Sequence, residues 1–370
     1  MMDDWLKAPP FSEAEKAEIR SSHEPPKAHV DAVVEQVLAK LPAQGITREP
    51  SNREIKALRE LASQLVSNPE LRGKGATKHE SIDGEIRLLD SVSAAGDGNN
   101  EISPALIKLI GSAKESILIH NPYIVLTDTA LEALADAGKR GVKITFGTNS
   151  PESTDSALTQ AYFQEDWPLI LARVPNSRII TATGDQKHHA KTFVVDGVLS
   201  GISTYNADWI SARVNSEVVT LDWSKEFAKD TIASYEAMVD NPEHDMVEYN
   251  ILRDESGRAL VLDGKPVITF GPQDHTEAKD LKKYGILRKG ANWARANISA
   301  LSPIMHEPLS EASDPVRMID WRSDDEALRQ VAKHSGGRRV IEGIIDRLES
   351  GWTTDEEAAQ IERLQGLLGD

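Results

Sequence analysis

Between residues 84 and 240 the chain alternates short β-branched runs with amphipathic stretches, and that alternation constrains the fold more than any other feature. The segments EIRLLD and SILIHNPYIV read as buried strands, with SPALIKLIGSAK between them as a helix capped at Ser103 and carrying Pro104 in its first turn. TALEALADAGKRG follows as a helix stopped by Gly141, then the strand VKITF. SRIITATG, AKTFVVDG, VLSGIS and SEVVTLD add further strand-like runs, and WSKEFAKDTIASYEAMV closes the region as a helix. Strands interleaved with helices in this way predict an α/β sandwich built on a mixed sheet.

The flanks read differently. Residues 1–83 carry no strand signal and predict a helical N-terminal region. Ser12 with Glu15 forms a capping-box pattern, Pro25-Pro26 breaks the chain, and AHVDAVVEQVLAKL and SNREIKALRELASQLV repeat apolar residues at helical spacing, the second capped by Ser51 or Asn52. Residues 246–270 predict a β-hairpin turned at Asp254–Gly257 and at Asp263-Gly264. Residues 306–370 predict a C-terminal helical tail, in which 324–370 reads as two helices separated by Ser335-Gly336-Gly337 and Ser350-Gly351, with Arg338 and Arg339 on a solvated helix face rather than at a phosphate site. The expected organisation is thus 1–83, 84–305 and 306–370. The 59 acidic residues outnumber the 42 basic ones, and a net charge of −17 repels polyanions, so a nucleic-acid partner is disfavoured. The absence of cysteine excludes disulfides and thiolate metal sites. With no signal peptide and no spanning segment visible, a cytoplasmic protein or one peripheral at the membrane is expected.

Chemistry concentrates in HHAKTFVVDGVLSGISTYNADWISARVNSEVVTL, residues 188–221. His189 and Lys191 stand two apart on an expected strand, so both face one side, whereas His188 faces the other. Asp196 and Gly197 make a turn, and Asn206, Asn215 and Glu217 follow across the next strand and its loop. An imidazole, an ammonium and a carboxamide converging on one cleft suit phosphoryl transfer. The imidazole attacks phosphorus while the other two hold charge on its oxygens.

A bare His-x-Lys is common, but the string behind it is not. His189, Lys191 two later, Asp196 five after that, Asn206 seventeen after the histidine and Glu217 eleven after the asparagine resemble, without a gap, the HKD signature of the phospholipase D superfamily. IRLLDSV, SPALIKLIGSAKESILIHNPYIV and RGVKITFGTNSPESTDS resemble the C-terminal half of bacterial cardiolipin synthase-like and phospholipase D-like proteins, as does the hairpin YNILRDESGRALVLDG, so the resemblance covers about residues 84–305. It implies a phospholipase D-like α/β sandwich that hydrolyses or transfers at the phosphodiester of a phospholipid. His189 would be the nucleophile, Lys191 and Asn206 would clamp the phosphate oxygens, and Asp196 and Glu217 would be supporting carboxylates that orient the histidine or lysine. Thr204, Asn121 and Asn149 are candidate substrate contacts, with Asn121-Pro122-Tyr123 and Thr148-Asn149-Ser150 at the cleft mouth or serving as a turn and a cap. Asp155 fits either a supporting role or a helix N-cap.

Two departures bear on this reading. The glycine-serine that precedes the asparagine in the family is Ser203-Thr204, which keeps a hydroxyl but loses the glycine's close approach, and a usual arginine is Ile210. A third matters more, because no other histidine has a lysine two residues later. The superfamily mechanism uses two HKD copies, so the second half is expected from a homodimer or from a separate chain. A single-HKD nuclease working as a dimer, and a non-catalytic regulatory half, remain alternatives. His244, Asp245, His275 and His306 lack ligand spacing, so neither a metal nor any other cofactor is implied.

Overall fold

The computed structural model describes residues 27–40, 42, 49–67, 85–92, 100–184, 186–298, 305–309, 316–350 and 354–369. The Ser12 capping box and the Pro25-Pro26 break lie outside them. The chain divides into two compact units, Met1–Ser81 and Ile82–Asp370.

The described part of the first unit is a pair of helices, α1 (Lys27–Lys40) and α2 (Asn52–Ser67). Val30, Val34 and Ala62 are buried between them, with Leu38 and Leu58 packed alongside. Ser51 caps α2. Its hydroxyl accepts from Glu54 N at 3.4 Å, and the Glu54 carboxylate takes Ser51 N at 2.8 Å, a reciprocal capping box.

The second unit begins with β1 (Glu85–Ser91), α3 (Ile102–Ser112), β2 (Ser116–His120), α4 (Asp128–Lys139), β3 (Lys143–Asn149) and α5 (Ala157–Arg173). β4 (Ser177–Ala182), β5 (Thr192–Val195), β6 (Leu199–Ser203), α6 (Trp209–Arg213), β7 (Glu217–Trp223) and α7 (Lys225–Val239) follow. Then come β8 (Met246–Ile251), β9 (Ala259–Leu262), β10 (Lys265–Pro266), β11 (Ile268–Phe270), α8 (Ala278–Asn297), β12 (Val316–Ile319), α9 (Asp325–Ala332), α10 (Ser335–Glu349) and α11 (Asp355–Gly369). Nine strands form one mixed sheet in the order β1-β7-β6-β5-β2-β3-β4-β8-β11. β2, β3 and β4 run parallel at its centre, joined by helical crossovers, and every other pairing is antiparallel. The expected α/β architecture with a mixed sheet is the observed one.

The parallel centre is buried because helices cover it. Ile144, Phe146, Ile179, Trp167 and Ile170 are all under 2% exposed and form its main core. α7 lies so close on the other face that a Cβ at Gly147 would stand 2.4 Å from the Tyr235 ring, so this strand position has to be glycine.

Several local expectations are corrected. β1 is an edge strand with only Leu89 and Ser91 buried, rather than a buried one. α3 is capped by the Asn100 side chain, which accepts from Ser103 N at 3.0 Å, while the Ser103 hydroxyl pairs with Tyr205 OH at 3.0 Å. Residues 246–270 do not make one hairpin, because β8 and β11 extend the large sheet while β9 and β10 join β12 in a separate three-stranded sheet. Ser335-Gly336-Gly337 opens α10 instead of separating helices. Cβ atoms at Gly336 and Gly337 would meet the carbonyl oxygens of Ile268 and Val331 at 2.3 and 2.1 Å, so the two glycines are there for close packing. α9, α10 and α11 bury Leu328, Ile341, Ile344 and Leu364 against Leu260 and Leu262 of the small sheet. Arg338 donates to the carbonyls of Ala332 and Leu368, which makes it a helix-end clamp as much as a solvated residue. His306 is buried and its Nε2 lies 3.0 Å from Asp166, whose other oxygen takes the Arg288 guanidinium at 3.2 Å. No described helix is long and apolar enough to cross a membrane.

Candidate active site

The backbone that carries His189 is fixed from both sides. Asn149, at the end of β3 and fully buried, accepts from His188 N at 2.9 Å and donates to His188 O at 2.8 Å, replacing a strand neighbour with one carboxamide. Its second amide hydrogen goes to Pro122 O at 3.3 Å. Two residues beyond His189, the Lys191 carbonyl accepts from both the backbone N–H (3.0 Å) and the hydroxyl (2.9 Å) of Ser203. The regular strand starts only at Thr192, later than expected, yet the alternation persists upstream. His188 turns inward, where its ring lies 5.7 Å from His120 and 4.9 Å from His244, and His189 turns outward.

Around His189 the chain assembles charge. Lys191 Nζ stands 3.1 Å from His189 Nδ1 and 3.1 Å from its carbonyl oxygen. An ammonium can only donate, so the ring nitrogen facing it acts as acceptor. Asp155 Oδ2 lies 3.9 Å from His189 Nε2, and its Oδ1 accepts from Tyr123 OH at 2.5 Å. The Tyr123 ring meets the imidazole edge-on at 6.4 Å. Burial raises the Asp155 carboxyl, but the Tyr123 hydroxyl and the nearby His189 and Lys187 outweigh it and hold the group below its ordinary range. Burial lowers the Lys191 ammonium despite the opposing carboxylates of Asp155, Glu217 and Asp208.

A hydrogen-bond relay built on α6 carries Asp208 and Glu217, the carboxylates that act on the Lys191 ammonium. Asp208 caps that helix by accepting from Ser211 N at 2.8 Å. The Ser211 hydroxyl accepts from Asn206 N at 3.0 Å and donates to Glu217 at 2.8 Å. Glu217 also takes the Asn215 amide at 3.1 Å and the Thr204 hydroxyl. Glu217 therefore orients the loop that holds Asn206, not His189 or Lys191 directly. The Asn206 carboxamide oxygen is buried without a partner among the described residues, which leaves one end of that side chain uncommitted. Asn121 links the Tyr123 and Tyr205 segments, donating to Tyr205 O at 3.2 Å and accepting from Tyr123 N at 3.3 Å.

Three expected site residues do other work. Asp196 orients neither the histidine nor the lysine. At the far end of β5 its carboxylate accepts from the N–H groups of Lys114, Glu115 (2.8 Å) and Ser116 (3.0 Å), and its φ of 53° is the left-handed turn position that aspartate tolerates. Thr204 has no free hydroxyl for a phosphate, since it donates to Glu217 and accepts from Val218 N at 3.0 Å. Asn149 is a buried backbone clamp, not a substrate contact. The sequence left Asp155 open between two roles, and it faces His189. Its pairing with Tyr123 spans 32 residues and leaves no local signature. Among the described residues no group of three or more His, Asp or Glu side chains is arranged to hold a metal ion.

The imidazole beside an ammonium and the carboxamide set by a serine-glutamate relay belong to a stretch of the chain that matches a phospholipase D-like domain. The matching family model, over residues 106–239, is that of the cardiolipin synthase PLD-like domain. Cardiolipin synthase A of Pectobacterium carotovorum subsp. carotovorum is 34% identical over 133 residues, covering 34% of this chain and 26% of that protein. A cardiolipin synthase of Listeria monocytogenes is 29% identical over 177 residues, covering 45% of this chain and 34% of its own length. The chain thus spans about a quarter to a third of the curated relatives it matches. Among solved structures, phosphatidylserine synthase of Haemophilus influenzae overlaps with a TM-score of 0.41 at 15% identity, covering 70% of this chain and 56% of that one.

Proposed function

We propose that the second unit transfers or hydrolyses the phosphodiester of a phospholipid through a covalent intermediate on His189. The observation that carries this reading is the Lys191 ammonium 3.1 Å from the His189 imidazole, on a backbone clamped at both ends. In the first step an imidazole lone pair forms an N–P bond as the P–O bond to the leaving alcohol breaks, and that oxygen takes a proton from a general acid. In the second, water or an acceptor alcohol attacks phosphorus and the N–P bond breaks. The Lys191 ammonium and the amide N–H group of Asn206 would donate to the phosphate oxygens as charge develops. Asp155 would keep the His189 ring oriented. Only one HKD copy is present, so the acid that protonates the leaving group would come from a second copy of this chain or from a separate chain.

The test is to incubate the purified chain with phosphatidylglycerol labelled at phosphorus and, separately, with single-stranded DNA. The expected outcome is turnover of the lipid, with label trapped on wild-type protein and absent from His189→Ala. Cleavage of the DNA with the lipid untouched would favour a nuclease, and label retained by the His189→Ala chain would refute the nucleophile.

A further inference from the structure

A cavity of about 580 Å³ lies between α3, α4 and one face of β2 and β5, and Lys191 is among the residues that line it. Its walls include Leu106 and Ile110 from α3, Ala130 and Leu134 from α4, and Ile119 and Phe193 from the sheet. Interiors that are complete in themselves hold few voids larger than a water molecule, whereas ligand pockets run to about 300–1,000 Å³. Leu106, Ile110, Ile119 and Phe193 are only half-buried although they sit between helix and sheet, because no described side chain fills the space in front of them.

The strand geometry ties this cavity to the chemistry. Ile119 pairs with Phe193, and alternation puts Lys191 on the same face as Phe193. The phenyl ring lies over Gly201, where a Cβ would stand 2.1 Å from it, so the ring folds down against the sheet instead of standing up into the space. Polar groups such as Lys191, Asn121, Asp208 and Arg213 share the lining with a majority of apolar side chains. A nucleobase or sugar would leave its polar edges unpaired there. A hydrocarbon chain attached to a phosphate would not.

We propose that this cavity takes one acyl chain of the substrate, threading it between α3 and α4 while the phosphate rests at Lys191. The inference rests on the phospholipid reading above and adds to it a length-selective tail site. The test is calorimetric binding of n-alkyl phosphates, from butyl to dodecyl, each below its micelle-forming concentration, to the full chain. Each added methylene should tighten binding about fourfold until the cavity is filled, after which affinity should level off. Ala130→Phe and, from the opposite wall, Leu106→Phe should each move the plateau to a shorter chain, with melting temperature checked for both. Affinity independent of length, or a length dependence that neither filling variant alters, would overturn the tail site. Failure of the catalytic reading would look different, with length-dependent alkyl phosphate binding intact and no turnover of phosphatidylglycerol.

Discussion

His189 keeps its own ring open to solvent while the residues on either side of it are pinned, His188 by Asn149 and Lys191 by Ser203. A nucleophile needs that combination, because an error of about 1 Å in its placement can cost on the order of a hundredfold in rate. His189→Ala is expected to lower turnover at least about a hundredfold with an unchanged melting temperature. Asn149→Ala should behave differently. It leaves the N–H and C=O of His188 unpaired in a buried place, so stability should fall by roughly 1–3 kcal/mol and turnover should fall with it. Denaturant titration beside a rate assay separates the two variants, and an Asn149→Ala chain of unchanged stability would refute the clamp. Asp196 was legible as a family position but not in its role. Its three backbone partners lie 80–82 residues away, beyond what spacing can reveal.

At the scale of elements, β2 and the segment before β5 place His120 and His188 on the inner face, beside Tyr235 of α7 and His244. Burial, and then the neighbouring histidine in each case, lowers both His120 and His188 to about 4 from 6.5. Both rings are therefore neutral in the fold at pH values where the unfolded chain would protonate them. The stability this confers is complete above about pH 6.5 and is lost as pH falls from there to about 4, at roughly 1.4 kcal/mol per pH unit for each ring. Urea midpoints measured across that window should fall with acid, and His120→Phe should flatten the dependence. An unchanged slope in that variant would contradict the assignment. Gly201 is the second sensitive point. Gly201→Ala would push the Phe193 ring off the sheet, with an expected cost of about 1–3 kcal/mol and a smaller tail cavity. Neither site could be read from sequence, since a glycine in a strand and a pair of histidines 68 residues apart carry no periodic signal.

For the whole molecule the open question of chemistry is the second histidine. A single strand cannot put an imidazole on both sides of one phosphate, so activity is expected to depend on association. If the partner is a second copy, adding excess His189→Ala chain should depress activity per wild-type chain, because mixed dimers replace wild-type ones. If it is a separate chain, that excess should have no such effect, and activity should appear only once the partner is supplied. A preparation shown by light scattering to be monomeric, yet turning over substrate at an ordinary enzymatic rate, would defeat both forms.

By itself the sequence determined the alternation of strands and helices, and the in-register string His189, Lys191, Asn206 and Glu217, because side-chain period and motif spacing are local properties. It did not disclose α5, whose helix runs on through Pro168, a residue that ordinarily breaks one, nor the division of residues 246–270 between two sheets. Tertiary structure alone decided which polar residues meet. Asp155 joins Tyr123 and His189, Glu217 serves Ser211 and Thr204, and Asp196 and Asn149 become backbone clamps, since each of those contacts closes only when the sheet assembles. The cavity beside Lys191 belongs to the same category. Its aliphatic walls look in sequence like ordinary core positions, and only the packing of α3 and α4 on the sheet leaves the space between them unfilled.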